Sequence, residues 1–232
     1  MAGVMAPLML HGCVAIVTGG AGGIGSAVSR HLASLGAGVA VAYIGDPAPA
    51  NELVSGINND YYSTAHADEK ECCGRARAIA VEADVSDAAQ VRALFDAAAA
   101  AFGGEIHILG ANRLARDGRG RIVTFSSSGV GSPRPGYAAY AASMAAVEVM
   151  TKILARELRG AGITANAVAP GSTGTPMLYN GKTEEEAARY IAEAPLGRLG
   201  MPDDIAPLVG FPASDAGGWI NAQVIRCNGG TI

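Results

Sequence analysis

The stretch VAIVTGGAGGIGSAVSRHL, residues 14–32, narrows the folds open to this chain more than any other. VAIVT reads as a short buried strand, and the residues from Ile24 to Gly36 read as an amphipathic helix closed by glycine. Between them stand Gly19, Gly23 and Gly25. Glycine at such a junction lets the backbone turn tightly and approach a pyrophosphate, whose charge the free amides of a helix N-terminus attract. Glycine-rich turns are common. At the first strand–loop–helix junction of a chain, this spacing points to a bound dinucleotide.

The same alternation runs to the C-terminus. VAVAY (39–43), AIAVEADV (78–85), IHILG (106–110), RIVTFSSS (121–128), ITANAVAPG (163–171) and QVIRCNGG (223–230) read as strands. Helices are expected over 86–104, with Ser86 as N-cap, from 136 to about Arg159, and from MPDDIA onward. Repeated βα units predict an α/β fold, a single-domain, Rossmann-like, doubly wound parallel sheet over residues 1–232. A composition of 50% hydrophobic and 16% charged residues suits strands buried on both faces. Two intervals depart from the pattern. Residues 46–77 are polar and aperiodic and read as an extended surface loop. By contrast, the crossover between strands 106–110 and 121–128 is shortened to barely two helical turns, so one sheet face there should be poorly covered.

A formal net charge of −4 argues against nucleic acid or an anionic membrane surface as partner. The local exception, RLARDGRGR at 113–121, reads as a solvated helix end and turn. Cys13, Cys72, Cys73 and Cys227 show no metal spacing with His11, His31, His66 or His107, so no metal site is expected. With no basic n-region before the first apolar stretch, a reducing, cytoplasmic location is expected. An acidic residue about 20 positions past the glycine loop would bind the ribose diol of NAD and repel a 2′-phosphate. That place holds Tyr43, and the first carboxylate is Asp46, which favours NADP(H) over NAD(H).

TGGAGGIG, Ser127 thirteen positions before Tyr140, and APG at 169–171 together resemble the short-chain dehydrogenase/reductase family over nearly the whole chain. RIVTFSSS, PLGRLGMPDDIAP and GWINAQVIRCNGG look most like plant NADPH-dependent aldehyde reductase-like members. The resemblance implies that Gly19, Gly23, Ile24 and Gly25 wrap the pyrophosphate, and that Tyr43, Asp84 and Val85 flank the adenosine end. Pro170, Gly171 and Thr175 would hold the nicotinamide end. Tyr140 would donate a proton to a small aldehyde or ketone, and Ser127 would hydrogen-bond its oxygen. Tyr137 has no serine so spaced and is read as lining the site or the surface.

Two departures stand against that pattern. The family carries lysine four residues after the tyrosine, and this chain has Met144. The Asn-bearing helix expected after IHILG is missing, and with it half of the usual homo-oligomer interface. Three readings follow: a carbonyl reductase of impaired activity, a non-catalytic dinucleotide-binding protein, or a truncated product with compromised folding.

Overall fold

A computed structural model describes residues 9–64, 76–108, 114–180 and 183–232. Six strands alternate with helices: β1 Val14–Thr18, α1 Gly23–Ser34, β2 Gly38–Tyr43, α2 Ala48–Thr64, β3 Ala78–Glu82, α3 Ala88–Phe102 and β4 Gly120–Phe125. After β4 come α4 Ala138–Glu157, β5 Ile163–Pro170, the short α5 Pro176–Tyr179, α6 Glu184–Glu193, α7 Pro202–Ala213 and β6 Val224–Cys227. All pairings are parallel. β1 lies beside β2 and β2 beside β3, while β5 joins β4 to β6. Residues 106–108 connect the halves, bridging Ala15 of β1 through Ile108 and Arg121 of β4 through the same residue. The order is therefore β3-β2-β1-(106–108)-β4-β5-β6, and the chain reverses direction across the sheet beside β1. Crevices at such switch points are where open α/β sheets hold ligands.

Strand alternation divides the core in two. Ala15, Val39, Val41 and Val168 face α1, α2 and α7, packing with Leu32, Leu53 and Ile205. Val14, Ile16, Ala40, Ile122 and Ala165 face α3 and α4, packing with Leu94, Phe95 and Ala155. Each such Leu or Phe side chain removed from water contributes about 1.5–3 kcal/mol.

The interval 46–77 is corrected in part. Residues 48–64 are helical, and residues 65–75 lie outside those described. Asp46 Oδ1 accepts from the Ala48 amide at 2.9 Å, as a capping side chain does. Ala50, Leu53 and Ile57 are buried at helical spacing against the first core. Asn58 makes the stretch look like loop, yet its amide has a structural task. Its Oδ1 accepts from Arg77 and Ala78 N–H at 2.8 and 2.9 Å, and its Nδ2 donates to Ala78 O at 3.1 Å. These bonds start β3.

The arginine run departs from its reading as solvated at one residue: Arg116 and Arg119 are exposed, and Arg113 lies outside the described residues. Arg121 lies in β4 and is buried. Its Nη1 donates to Gly118 O and Gly120 O at 2.8 and 2.9 Å, while Nη2 stands 3.6 Å from Asp215. Carbonyls beside the strand replace water for it, which is what a buried guanidinium requires. Of the crossover expected to be short, residues 109–113 lie outside those described. Ile108 bridges Arg121 directly, and among the described residues no α-helix occurs between Phe102 and Ala138. The expected strand 121–128 ends at Phe125, where the chain turns into the site. α4 keeps only Thr151 and Ala155 buried and leaves Val149, Met150 and Ile153 at least half exposed. With mean hydropathy 1.3, α4 is apolar and long enough to cross a bilayer. Here it packs on the sheet, with Thr124 Oγ1 and Thr151 Oγ1 at 2.7 Å.

Two histidines make stability depend on pH. His31 and His107 have Nε2 atoms buried without a hydrogen-bond partner, and burial pushes both side chains below the usual histidine range. The unfolded chain takes up protons near pH 6.5 and the native protein only at lower pH. Between these limits the unfolded state binds more protons, so stability is complete above about pH 6.5 and falls as pH drops below it. Urea midpoints at pH 8, 7, 6 and 5.5 should be level for the first pair and then decline. A midpoint that rises on acidification would contradict the burial of both rings.

Candidate active site

The glycine loop is built by close approach. β1 ends at Thr18, Gly19 turns the chain at φ +62°, and Gly22 begins α1 in extended conformation with no side-chain cap. A Cβ on Gly25 would stand 2.1 Å from Gly19 O, so no side chain fits there. The first turn of α1 carries no acidic residue, so its positive end and leading amides meet no carboxylate from their own turn. That cradle fits a pyrophosphate. Ile24 is half-buried against the first core and fixes the helix entry.

The nicotinamide-end residues come to the same place. Pro170 ends β5, and Gly171 N donates to Cys227 O at 2.9 Å. The loop then returns to the glycines: a Cβ on Gly23 would meet Thr175 Cγ2 at 2.7 Å. At the other flank, Tyr43 ends β2 and its carbonyl accepts from Ala83 N at 2.8 Å, placing Asp84 and Val85 beside it. Val85 is exposed. Asp84 Oδ1 accepts from Ser86 Oγ at 2.7 Å and Ser86 N at 2.8 Å, which holds its carboxyl below the usual range. Ser86 is thus spent on Asp84, and the N-cap of α3 is Asp87, which accepts from Ala89 N at 2.7 Å.

Ser127 and Tyr140 are brought together around Gly129. Ser127 Oγ accepts from Gly129 N at 3.1 Å as the cap of a single 3-10 turn, Ser128–Val130. A Cβ on Gly129 would lie 3.3 Å from Ser127 Oγ and 3.9 Å from Tyr140 Cε1. Tyr140 sits in the first turn of α4, with 47% of its surface exposed. Met144 follows one turn later, half-buried, bringing neither charge nor donor.

Residues absent from the sequence reading hold this arrangement. Ser126 Oγ donates to Glu148 Oε1 at 2.8 Å and lies 3.3 Å from Met144 O, stitching the end of β4 to α4. The hydroxyl run SSS is the available signal, since successive residues leave an extended chain on opposite faces. Tyr137 stands edge-on to Tyr140 with ring centroids 6.3 Å apart, and it is exposed. It also has a partner beyond its own helix. Tyr190 of α6 stands close to it, and burial, followed by the neighbouring Tyr137 hydroxyl, raises the Tyr190 hydroxyl above its ordinary range. Beside them a cleft of about 200 Å³ is lined by Gly171, Ser172, Tyr190, Leu196 and Asn228.

Comparison with known proteins agrees with this geometry. Residues 13–113 match the family model described as short chain dehydrogenase, and residues 108–231 match that described as enoyl-(acyl carrier protein) reductase. An NADPH-dependent aldehyde reductase-like protein, chloroplastic, of Arabidopsis thaliana is 42% identical over 97% of this chain and 96% of its own. A short-chain type dehydrogenase/reductase of Picea abies is 41% identical over 96% of this chain and 93% of its own. Among solved structures, a short chain dehydrogenase of Burkholderia cenocepacia in complex with NADP superposes with TM-score 0.80 at 33% identity. That match covers 96% of this chain and 98% of the other. A dehydrogenase/reductase of Sinorhizobium meliloti gives 0.83 at 31% identity, covering 97% and 96%.

Proposed function

The chain belongs to the short-chain dehydrogenase/reductase family, and on that premise we propose that it is an NADP(H)-dependent reductase of small aldehydes or ketones. The observation that carries this reading is the meeting of Ser127 and Tyr140 across Gly129, on the sheet edge where Thr175 closes on the glycine loop. A bound nicotinamide would supply the hydride. The protein's own groups handle the oxygen. A lone pair of Ser127 Oγ is already taken by the Gly129 amide, so its O–H is free to donate to the substrate carbonyl. Tyr140 then gives its proton to the developing alkoxide.

The preference for NADP(H) has a physical support at the end of β2. Asp46, the first carboxylate there, turns its Oδ1 to the Ala48 amide and starts α2. No Lys or Arg occurs from His31 to Glu69, so the preference rests on missing repulsion, not on a phosphate-binding cation. The NADPH-dependent names of relatives support the same choice. The exposed strip Val149, Met150 and Ile153 on α4 supports self-association.

Met144 favours a second reading, a dinucleotide-binding protein without turnover. Calorimetric titration with NADPH and NADH, beside NADPH consumption with a panel of aldehydes, separates the two. The reductase reading expects NADPH to bind more tightly than NADH and slow consumption to be measurable. Binding with no turnover would replace it by the second, and no binding of either dinucleotide would remove both.

A further inference from the structure

Helix α6 is held to the site by few contacts: none of its residues is buried. Its N-terminus is self-contained, with Thr183 and Glu186 forming a capping box in which Thr183 Oγ1 accepts from Glu186 N at 3.2 Å. What ties it down is one face, where Tyr190 and Glu193 lie three positions apart. Glu193 is ion-paired with Arg134, and the Arg134 guanidinium lies over the Tyr190 ring, 4.4 Å from its centroid. The Tyr190 hydroxyl stands close to Tyr137, whose ring edge meets Tyr140.

The receiving side is rigid for a reason written in the sequence. Arg134 is flanked by Pro133 and Pro135, each with fixed φ. Pro135 and Gly136, the latter at φ +84°, occupy the centre of a turn closed by Tyr137 N donating to Arg134 O at 3.1 Å. Proline then left-handed glycine is the pattern of a type II turn. The turn presents Arg134 and Tyr137 together, immediately before α4. Tyr190 also lines the cleft beside Gly171 and Ser172, so the tie spans the space between Tyr140 and that loop.

We propose that Arg134, Tyr137, Tyr190 and Glu193 form a clasp that fixes α6 to the catalytic turn and limits the size of molecules reaching Tyr140. Arg134 anchors α6 by charge and by its stacked face, two modes that lysine cannot both supply. Tyr137 is a positioning residue, set between the clasp and the Tyr140 ring. This limit on size rests on reading Tyr140 as the proton donor, while the clasp itself is testable without turnover.

The test uses the full chain and Arg134→Ala, Arg134→Lys, Tyr190→Phe and Tyr137→Phe. Hydrogen exchange over residues 184–193 and acylation of Tyr140 by N-acetylimidazole and by a bulkier acylimidazole are followed by peptide mass spectrometry. An exposed ion pair and a cation–π contact together predict about fivefold faster exchange in Arg134→Ala. Arg134→Lys should recover part of that loss, and melting temperatures should stay near the parent's. Loosening the clasp should speed Tyr140 acylation, most for the bulkier reagent. Exchange unchanged in Arg134→Ala and Tyr190→Phe would overturn the clasp, and faster exchange with unaltered acylation would overturn the limit on access. Failure of every aldehyde assay would remove the reductase reading and leave these two measurements decisive for the clasp.

Discussion

Met144→Lys is expected to raise turnover by about two to four decades, the range that electrostatic and general acid–base contributions supply. A phenol in water has a pKa of about 10, and a cation close by lowers the cost of its phenolate. Position 144 is one helical turn after Tyr140, so both side chains leave α4 on the same face. The backbone there is already fixed by Ser126 and Glu148, and lysine has nearly the helix propensity of methionine. The substitution should therefore leave the fold unchanged. The signature is a pH profile. In the alcohol-oxidation direction, the parent's rate should climb well into the alkaline range, and the variant's should level off nearer neutrality. Met144→Leu should match the parent. If Met144→Lys binds NADPH as the parent does and its rate is unchanged, the missing cation is not what limits Tyr140.

How much of this site could be read in advance depends on the range of each interaction. The glycine loop, the strand pattern and the Ser127–Tyr140 spacing are local or periodic, and periods of 2 and 3.6 residues leave a direct mark on composition. α2 was hidden because Asn58, Asn59 and Asp60 lower the apolar periodicity of a helix that still buries Ala50, Leu53 and Ile57. Asn58 is polar because it caps the start of β3, a contact twenty positions away. Arg121 looked solvated for the same kind of reason: its acceptors are backbone carbonyls, which no sequence pattern marks. Arg134 and Glu193 lie 59 positions apart, and nothing in either neighbourhood announces the other. Tertiary polar contacts of this kind become visible only once the sheet has brought the loops together.

Gly25→Ala carries the second large effect, and competing magnitudes settle its direction. Alanine in place of glycine inside a helix gains about 0.8–1 kcal/mol of propensity. The new Cβ would lie 2.1 Å from Gly19 O and 2.9 Å from Gly19 C, both backbone atoms that cannot rotate aside. Overpacking of that kind costs about 1–3 kcal/mol, so the net change in stability is small to moderate. Binding suffers more, because the only relief is to move the Gly19 turn away from α1. Gly20 resists that motion, since its N–H donates to Ala42 O at 3.0 Å and ties the turn to β2. Opening the turn displaces the amides that would face a pyrophosphate, the groups on which the proposed cradle depends. NADPH affinity should fall at least tenfold, equivalent to about 1.4 kcal/mol, while the melting temperature drops by only a few degrees. Gly22→Ala is the matched control: its Cβ would sit 3.4 Å from Gly19 O, in extended backbone open to any residue. Parent-like NADPH affinity in Gly25→Ala would mean that the dinucleotide does not lie on this loop, and the assignment of Gly19, Gly23 and Gly25 to the pyrophosphate would fall.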